Sequence, residues 1–183
     1  MQSFQLERNS GKKCYMLSAR SLAIVWGDDT HYWNWIAMPD SRFPEVAFLR
    51  FVWWLEIRGM INKLALSKNT RYAAYLVFKM QCGLGFENTP VELSVGVEGG
   101  LQSTKNVCLY PNGEFKVYIR RSLRSLPRPS VRSDGWLEIE MGEFFNSELE
   151  DEEIHMSVIE IKSGTMKERF SLEGIEVRPK VDN

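Results

Sequence analysis

Histidine and cysteine are scarce in this chain. His31 and His155 are its only imidazoles, and Cys14, Cys82 and Cys108 its only thiols, among 183 residues. A Ser-His or Cys-His hydrolase would have to be built on one of those two histidines. Three widely spaced cysteines without a C-x-x-C pair indicate neither a disulfide framework nor a zinc site, and fit a reducing compartment. There is no G-x-S-x-G elbow, no G-x-x-x-x-G-K-[ST] phosphate loop and no H-E-x-x-H helix. No span of about twenty apolar residues occurs, and MQSFQLERNSGKK has no apolar core run, so neither a membrane helix nor a secretory address is expected. N-x-[ST] acceptors are absent as well, which is compatible with a cytosolic or nuclear protein. A strong charge of one sign is also missing, the net charge being −1. That total hides segregation. Arg120, Arg121, Arg124, Arg128 and Arg132 precede an acidic run containing Glu138, Glu140, Glu143, Glu148, Glu150, Asp151, Glu152 and Glu153. The basic stretch is rich in Ser and Pro and lacks interleaved aromatics, so it reads as a solvated loop partly paired with the acidic side, not as a nucleic-acid surface. The acidic run lacks the D-x-D-x-D-G spacing of a calcium loop.

What the chain does have is tryptophan in one place. LAIVWGDDTHYWNW holds Trp26, Trp33 and Trp35, half of the six tryptophans, together with Tyr32 around a polar turn. An indole face suits the C–H patch of a sugar ring, and Asp28, Asp29, His31 and Asn34 supply hydrogen-bonding groups that would orient it. Each Trp read singly is equally a core anchor.

The dominant hydrophobic period is two, the mark of strands with one buried face. In AFLRFVWWLEI the odd positions Ala47, Leu49, Phe51, Trp53, Leu55 and Ile57 are apolar, which predicts one strand with Trp53 in the core. Tyr72 to Met80, Val91 to Val97 and Phe115 to Ile119 repeat the pattern. Phe170 and Leu172 share a parity that Ile175 and Val177 reverse, so a bulge near Gly174 is expected to keep both pairs inward. Nine or ten such segments, separated by Gly, Pro and Asn turns, predict an all-β fold: an antiparallel two-sheet sandwich of jelly-roll type. Helix is expected only as a turn around Ser41 to Ala47 and another near Glu143 to Phe145. A chain of this length should bury about 70% of its unfolded surface in one domain.

A pair of carboxylates drawn from Glu138, Glu140, Glu153 and Glu160 would be the raw material of a glycosidase. In WLEIEM the glutamates merely alternate with apolar residues, as on any strand with a solvated face, and no local pocket raises one pKa.

Several segments together resemble the plant phloem protein 2 family, also called Nictaba-like lectins. They are KKCYMLSARSLAIVWGDDTHYWNW, FPEVAFLRFVWWLEIRGMIN, NTRYAAYLVFKM, SDGWLEIEMGEFFN and GIEVRP, and they run from Lys12 to Pro179. The resemblance implies a lectin domain over residues 12–180, after a polar extension over 1–11 and before a short tail at 181–183. It implies binding of N-acetylglucosamine oligomers or of the core and high-mannose parts of N-glycans, with no cofactor and no catalysis. It further implies a nucleocytoplasmic location and a tendency to dimerise. The W-x(6)-W pair linked to sugar binding in the family matches Trp26 and Trp33, with Tyr32 and Trp35 beside it, and two implicated glutamates match Glu153 and Glu160. The usual G-E-D-G-E loop reads L-E-D-E-E here, with Leu149 and Glu152 at the glycine positions. Met166 stands where a Trp is typical, and His155 where many relatives have Glu. The N-terminal words resemble the branch in which this domain follows an F-box. If such a segment lies upstream in a longer protein, the resemblance implies a substrate receptor of an SCF-type ubiquitin ligase, with protein interaction as the alternative use of the scaffold. No F-box occurs in these residues.

Overall fold

The computed structural model describes residues 1–81, 84–111, 121–147 and 151–180. Alternating apolar residues pair into thirteen strands among them: β1 (Gln2–Leu6), β2 (Lys13–Ser18), β3 (Ala23–Ile24), β4 (Trp33–Ile36), β5 (Val46–Leu49), β6 (Leu55–Asn62), β7 (Thr70–Met80), β8 (Val91–Val97), β9 (Gln102–Val107), β10 (Ser130–Val131), β11 (Leu137–Asn146), β12 (Glu153–Glu160) and β13 (Phe170–Pro179). One sheet has eight strands in the order β1-β2-β13-β7-β11-β10, with β5 joined to β13 and β4 to β5. The other has five, in the order β3-β6-β12-β8-β9. All their pairings are antiparallel.

The inward faces of both sheets meet in one core that includes Leu17, Trp33, Leu55, Ile57, Leu76, Phe78, Leu93, Val95, Met156, Val158, Phe170 and Ile175. This is the expected sandwich. Tyr72, Ala74, Leu76 and Phe78 are all buried in β7, as are Val91, Leu93 and Val95 in β8. Phe115, Val117 and Ile119 lie outside the described residues.

The expected bulge is present. β13 shifts register against β7 between Leu172 and Gly174, so that Phe170, Leu172, Ile175 and Val177 are all buried. The other edge of β13 changes partner at the same place, from β5 at Phe170–Leu172 to β2 from Gly174 onward. The extra residue, Glu173, is fully buried. It accepts hydrogen bonds from Ser41 Oγ (3.0 Å) and the Arg42 backbone N–H (2.8 Å), which ties the loop between β4 and β5 to the sheet.

Four expectations are corrected. Ala47 to Ile57 is not one strand: β5 ends at Leu49 in the eight-stranded sheet and β6 begins at Leu55 in the five-stranded one. The crossing resets the parity. Val52 turns inward and pairs with Lys167, whereas Trp53 is 51% exposed and not in the core. Ser41 to Ala47 forms no helical turn, and Glu143–Phe145 continues β11, because the eleven-residue β7 offers ladder partners as far as Asn146. Short 3₁₀ turns occur instead at Ala19–Ser21, Lys63–Ala65 and Arg121–Leu123. Within the polar extension, Gln2–Leu6 forms an edge strand paired with β2.

On the outer face of the eight-stranded sheet Glu176, nearly buried, receives Arg42 (3.2 Å), Arg132 (2.6 Å) and Arg178 (2.7 Å). Arg132 and Arg178 also hold Glu138, at 3.0 and 2.8 Å. The end of the basic stretch is thus paired with acidic strand residues. Cys14 and Cys108 are free and buried, and burial pushes the Cys14 thiol up to about 11. Neither is expected to react with a thiol reagent in the native state at neutral pH, and labelling of either without prior unfolding would contradict the burial.

Candidate functional site

The tryptophan-rich turn is held by its own backbone. Val25 N–H donates to Glu56 O, fixing the end of β3 to β6, and the N–H groups of Tyr32 and Trp33 both donate to Asp29 O. Asp29 accepts from the backbone N–H of His31 at 2.9 Å and lies 2.7 Å from its Nδ1, contacts that keep this exposed carboxyl below the usual carboxylate range. Trp26 takes the left-handed conformation with φ of 58° and is 46% exposed. A bulky side chain held there is uncommon and costs on the order of 1 kcal/mol or more.

The six aromatic residues of this neighbourhood divide into a surface and its supports. Trp26 packs at a tilt against Tyr32 with centroids 5.0 Å apart, Tyr32 meets Phe51 edge-on at 5.6 Å, and Phe51 meets Trp53 edge-on at 5.7 Å. Four rings therefore form a continuous strip whose two ends, Trp26 and Trp53, are open to solvent and whose middle is half-buried. Trp33 is 1% exposed and belongs to the core, and its Nε1 has no hydrogen-bond partner among the described residues. It can shape the turn from below but offers no face to a ligand. Trp35 donates its Nε1 to Gly27 O at 3.0 Å and lies under the Arg20 guanidinium, 3.6 Å from the ring centroid. It too is a strut. Trp33→Ala is therefore expected to cost about 3–5 kcal/mol of stability, read as a lower thermal midpoint, in contrast to a near-silent Trp26→Ala.

Glu153 and Glu160 occupy opposite ends of β12, roughly 23 Å apart at strand rise. Glu160, paired with Leu55, is at the end nearest Trp53 and Trp54. It is buried against the fully buried Lys167 at 2.5 Å, and its Oε1 accepts the N–H groups of Ser163 (2.9 Å) and Lys162 (3.3 Å). Burial alone would raise this carboxyl, but the bonds from Lys167 and Ser163 outweigh it and hold the group below its ordinary value. Lys167 Nζ also donates to Trp53 O (3.1 Å) and Thr165 O (2.7 Å), so this ion pair staples the loop carrying Trp53 to the segment that crosses from β12 to β13. Glu160 supports the aromatic strip from beneath.

At the other end, Glu153 is half-exposed beside His155, whose Nε2 is 3.7 Å from it and 3.6 Å from Glu98. Glu152 pairs with Lys63 Nζ and accepts the Lys63 N–H at its backbone oxygen, which anchors the turn at Lys63–Ala65. The departure from glycine there has thus become a structural contact, while Leu149 lies outside the described residues. Met166, next to Lys167, is 38% exposed.

Trp53 and Trp54 were hidden from a parity count. One signal existed: adjacent residues of a strand face opposite ways, so a WW pair cannot be wholly internal.

A family model described as phloem protein 2 matches residues 12–179. Among curated Arabidopsis thaliana proteins, the chain is 47% identical over 180 residues to F-box protein PP2-B10 and 48% identical to putative F-box protein PP2-B12. Each match covers 97% of this chain, but the chain spans only 64% and 66% of those relatives' lengths. Solved structures resemble it in outline only: a Podospora anserina GH26-CBM35 β-(1,4)-mannanase aligns over 93% of this chain and 28% of its own at 8% identity and a TM-score of 0.49. With the family model spanning nearly all of the sandwich and relatives close to half identical throughout it, the chain belongs to the phloem protein 2 family.

Proposed function

We propose that this domain is a lectin that binds N-acetylglucosamine oligomers or N-glycan core and high-mannose structures. The observation that carries the reading is the strip Trp26-Tyr32-Phe51-Trp53, whose exposed end rings, Trp26 and Trp53, each offer an aromatic platform beside a polar turn. Stacking on such a platform is favourable for the C–H face of a sugar, and flanking groups such as Asp28 and Asn34 fix orientation. Family membership supports the same reading.

The binding is non-catalytic in this proposal, and the carboxylates give the reason. Glycosidases place two carboxyl groups about 5–9.5 Å apart across the scissile bond. Glu153 and Glu160 are too far apart for that. Glu138 and Glu140 lie on the other sheet, engaged by Arg132 and Arg178 and by Lys180 respectively. In a longer protein carrying an F-box, the same face would present glycosylated substrates to an SCF-type ligase from the nucleus or cytoplasm, and dimerisation would raise avidity.

Calorimetric titration with N-acetylglucosamine trimer tests the reading. Saturable heat that disappears in Trp26→Ala, at unchanged thermal midpoint, is the expected result. Absence of heat at millimolar sugar would overturn it.

A further inference from the structure

The outer face of the five-stranded sheet holds a row of residues in register across all its strands. Val25, just past β3, donates to Glu56 O, Glu56 is opposite Ile159, Ile159 opposite Glu92, and Glu92 opposite Asn106. At the usual inter-strand spacing the row runs about 19 Å. Trp26 follows Val25 at one end. Beside Glu56 stands Trp54, 42% exposed, whose Nε1 donates to Glu56 Oε2 at 2.8 Å, so its polar edge is satisfied internally. At the far end a cleft of about 490 Å³ opens between Pro90, Glu92, Asn106, Ile159, Ile161 and Lys162. The side chains of Glu92 and Asn106 have no hydrogen-bond or ion-pair partner among the described residues. Apolar walls with a few convergent, unspent polar groups are the usual composition of a small-ligand site, and the volume falls in the usual range.

We infer that a linear oligosaccharide lies across this face, from Trp26 past Trp54 into the cleft, where Ile159 supports its C–H surface and Glu92 and Asn106 bind its hydroxyl and amide groups. This rests on the lectin reading and extends it, since none of Trp54, Ile159, Glu92 and Asn106 was implicated by family resemblance. The chemistry favours a sugar chain over two other ligand classes. The row's free carboxylate repels phosphate-bearing ligands. A peptide laid along the row would find few backbone partners, because β12 and β8 are paired on both sides there and the Glu56 carbonyl of β6 already accepts from Val25. A carbohydrate needs only faces to stack on and side chains to bond.

The test compares the N-acetylglucosamine trimer with the hexamer by calorimetry, on the whole chain. The wild type is expected to bind the hexamer at least about tenfold more tightly than the trimer. In Glu92→Ala/Asn106→Ala that advantage should shrink to the few-fold gain that extra binding registers give, with trimer affinity and thermal midpoint unchanged. Trp54→Ala should likewise leave the hexamer only that few-fold gain over the trimer. A length advantage that survives the double substitution overturns the proposal and leaves the lectin reading standing. Failure of both oligomers to bind the wild type removes both. A deglycosylated protein that binds the wild type and not the double variant would reassign the face to protein recognition and also overturn the proposal.

Discussion

Replacing Gly174 with alanine is expected to lower the thermal midpoint by roughly 10 °C or more, or to leave the protein insoluble, because no room exists for a Cβ. An ideal Cβ at Gly174 would stand 1.9 Å from the Leu17 carbonyl oxygen and 3.2 Å from the Ser18 Cα. Both neighbours are backbone, so relief requires β2 and β13 to separate. Gly174 is also where β13 passes from β5 to β2 and where its register against β7 shifts. Three pairings would loosen together. A cost of about 4 kcal/mol, in the exceptional tail for single substitutions, converts to that change in midpoint for a domain of this size. Gly100→Ala is the control: the nearest atom to its Cβ is Val97 Cβ at 3.4 Å, an ordinary contact, and the backbone there is not left-handed. It should be neutral or slightly stabilising through the unfolded chain. Equal midpoints for the two variants would mean that β2 and β13 can part cheaply.

That bulge was readable from parity, since only an extra residue lets Phe170, Leu172, Ile175 and Val177 share a face. The same counting failed at Trp53 for a physical reason. Alternation reports the face of a strand within one sheet, and the chain between Leu49 and Leu55 leaves one sheet for the other, so the count restarts without any mark in composition. The exposed Trp26 and the buried Trp33 could not be told apart in the same way. What separates them is the left-handed backbone at Trp26, set by the loop's hydrogen bonds and not by residue type. Glu153 and Glu160 carried more information than their match to a family motif. Once EIHMSVIEI is read as a strand, an odd separation of seven sends the two side chains to opposite faces. Glu153 is accordingly exposed and Glu160 buried. Lys167 gave no signal: a lysine in GTMKERF reads as solvated surface, yet it is the fully buried partner of Glu160.

Glu160→Gln is expected to cost about 3–5 kcal/mol, the usual effect of removing one partner from a buried ion pair, because Lys167 would keep its charge in the interior with only carbonyl oxygens around it. Lys167→Met should also destabilise, since it removes the bonds to Trp53 O and Thr165 O that hold the tryptophan loop. The double variant should be less destabilised than the sum of the two, because neither charge is then stranded. Acid should reproduce the effect. The Glu160 carboxyl is held below its unfolded value of 4.5, so its stabilisation is fully present above that pH and is lost as pH falls through the lower folded value. Wild type should therefore lose stability below about pH 4.5 more steeply than Glu160→Gln, which has no such proton to take up. Sugar titration separates support from contact. If Glu160 acts by holding the loop, its substitution lowers affinity and thermal midpoint together, whereas Trp26→Ala lowers affinity alone. Loss of binding in Glu160→Gln at an unchanged midpoint would place the carboxylate in direct contact with the glycan and require the ion pair to open when ligand arrives.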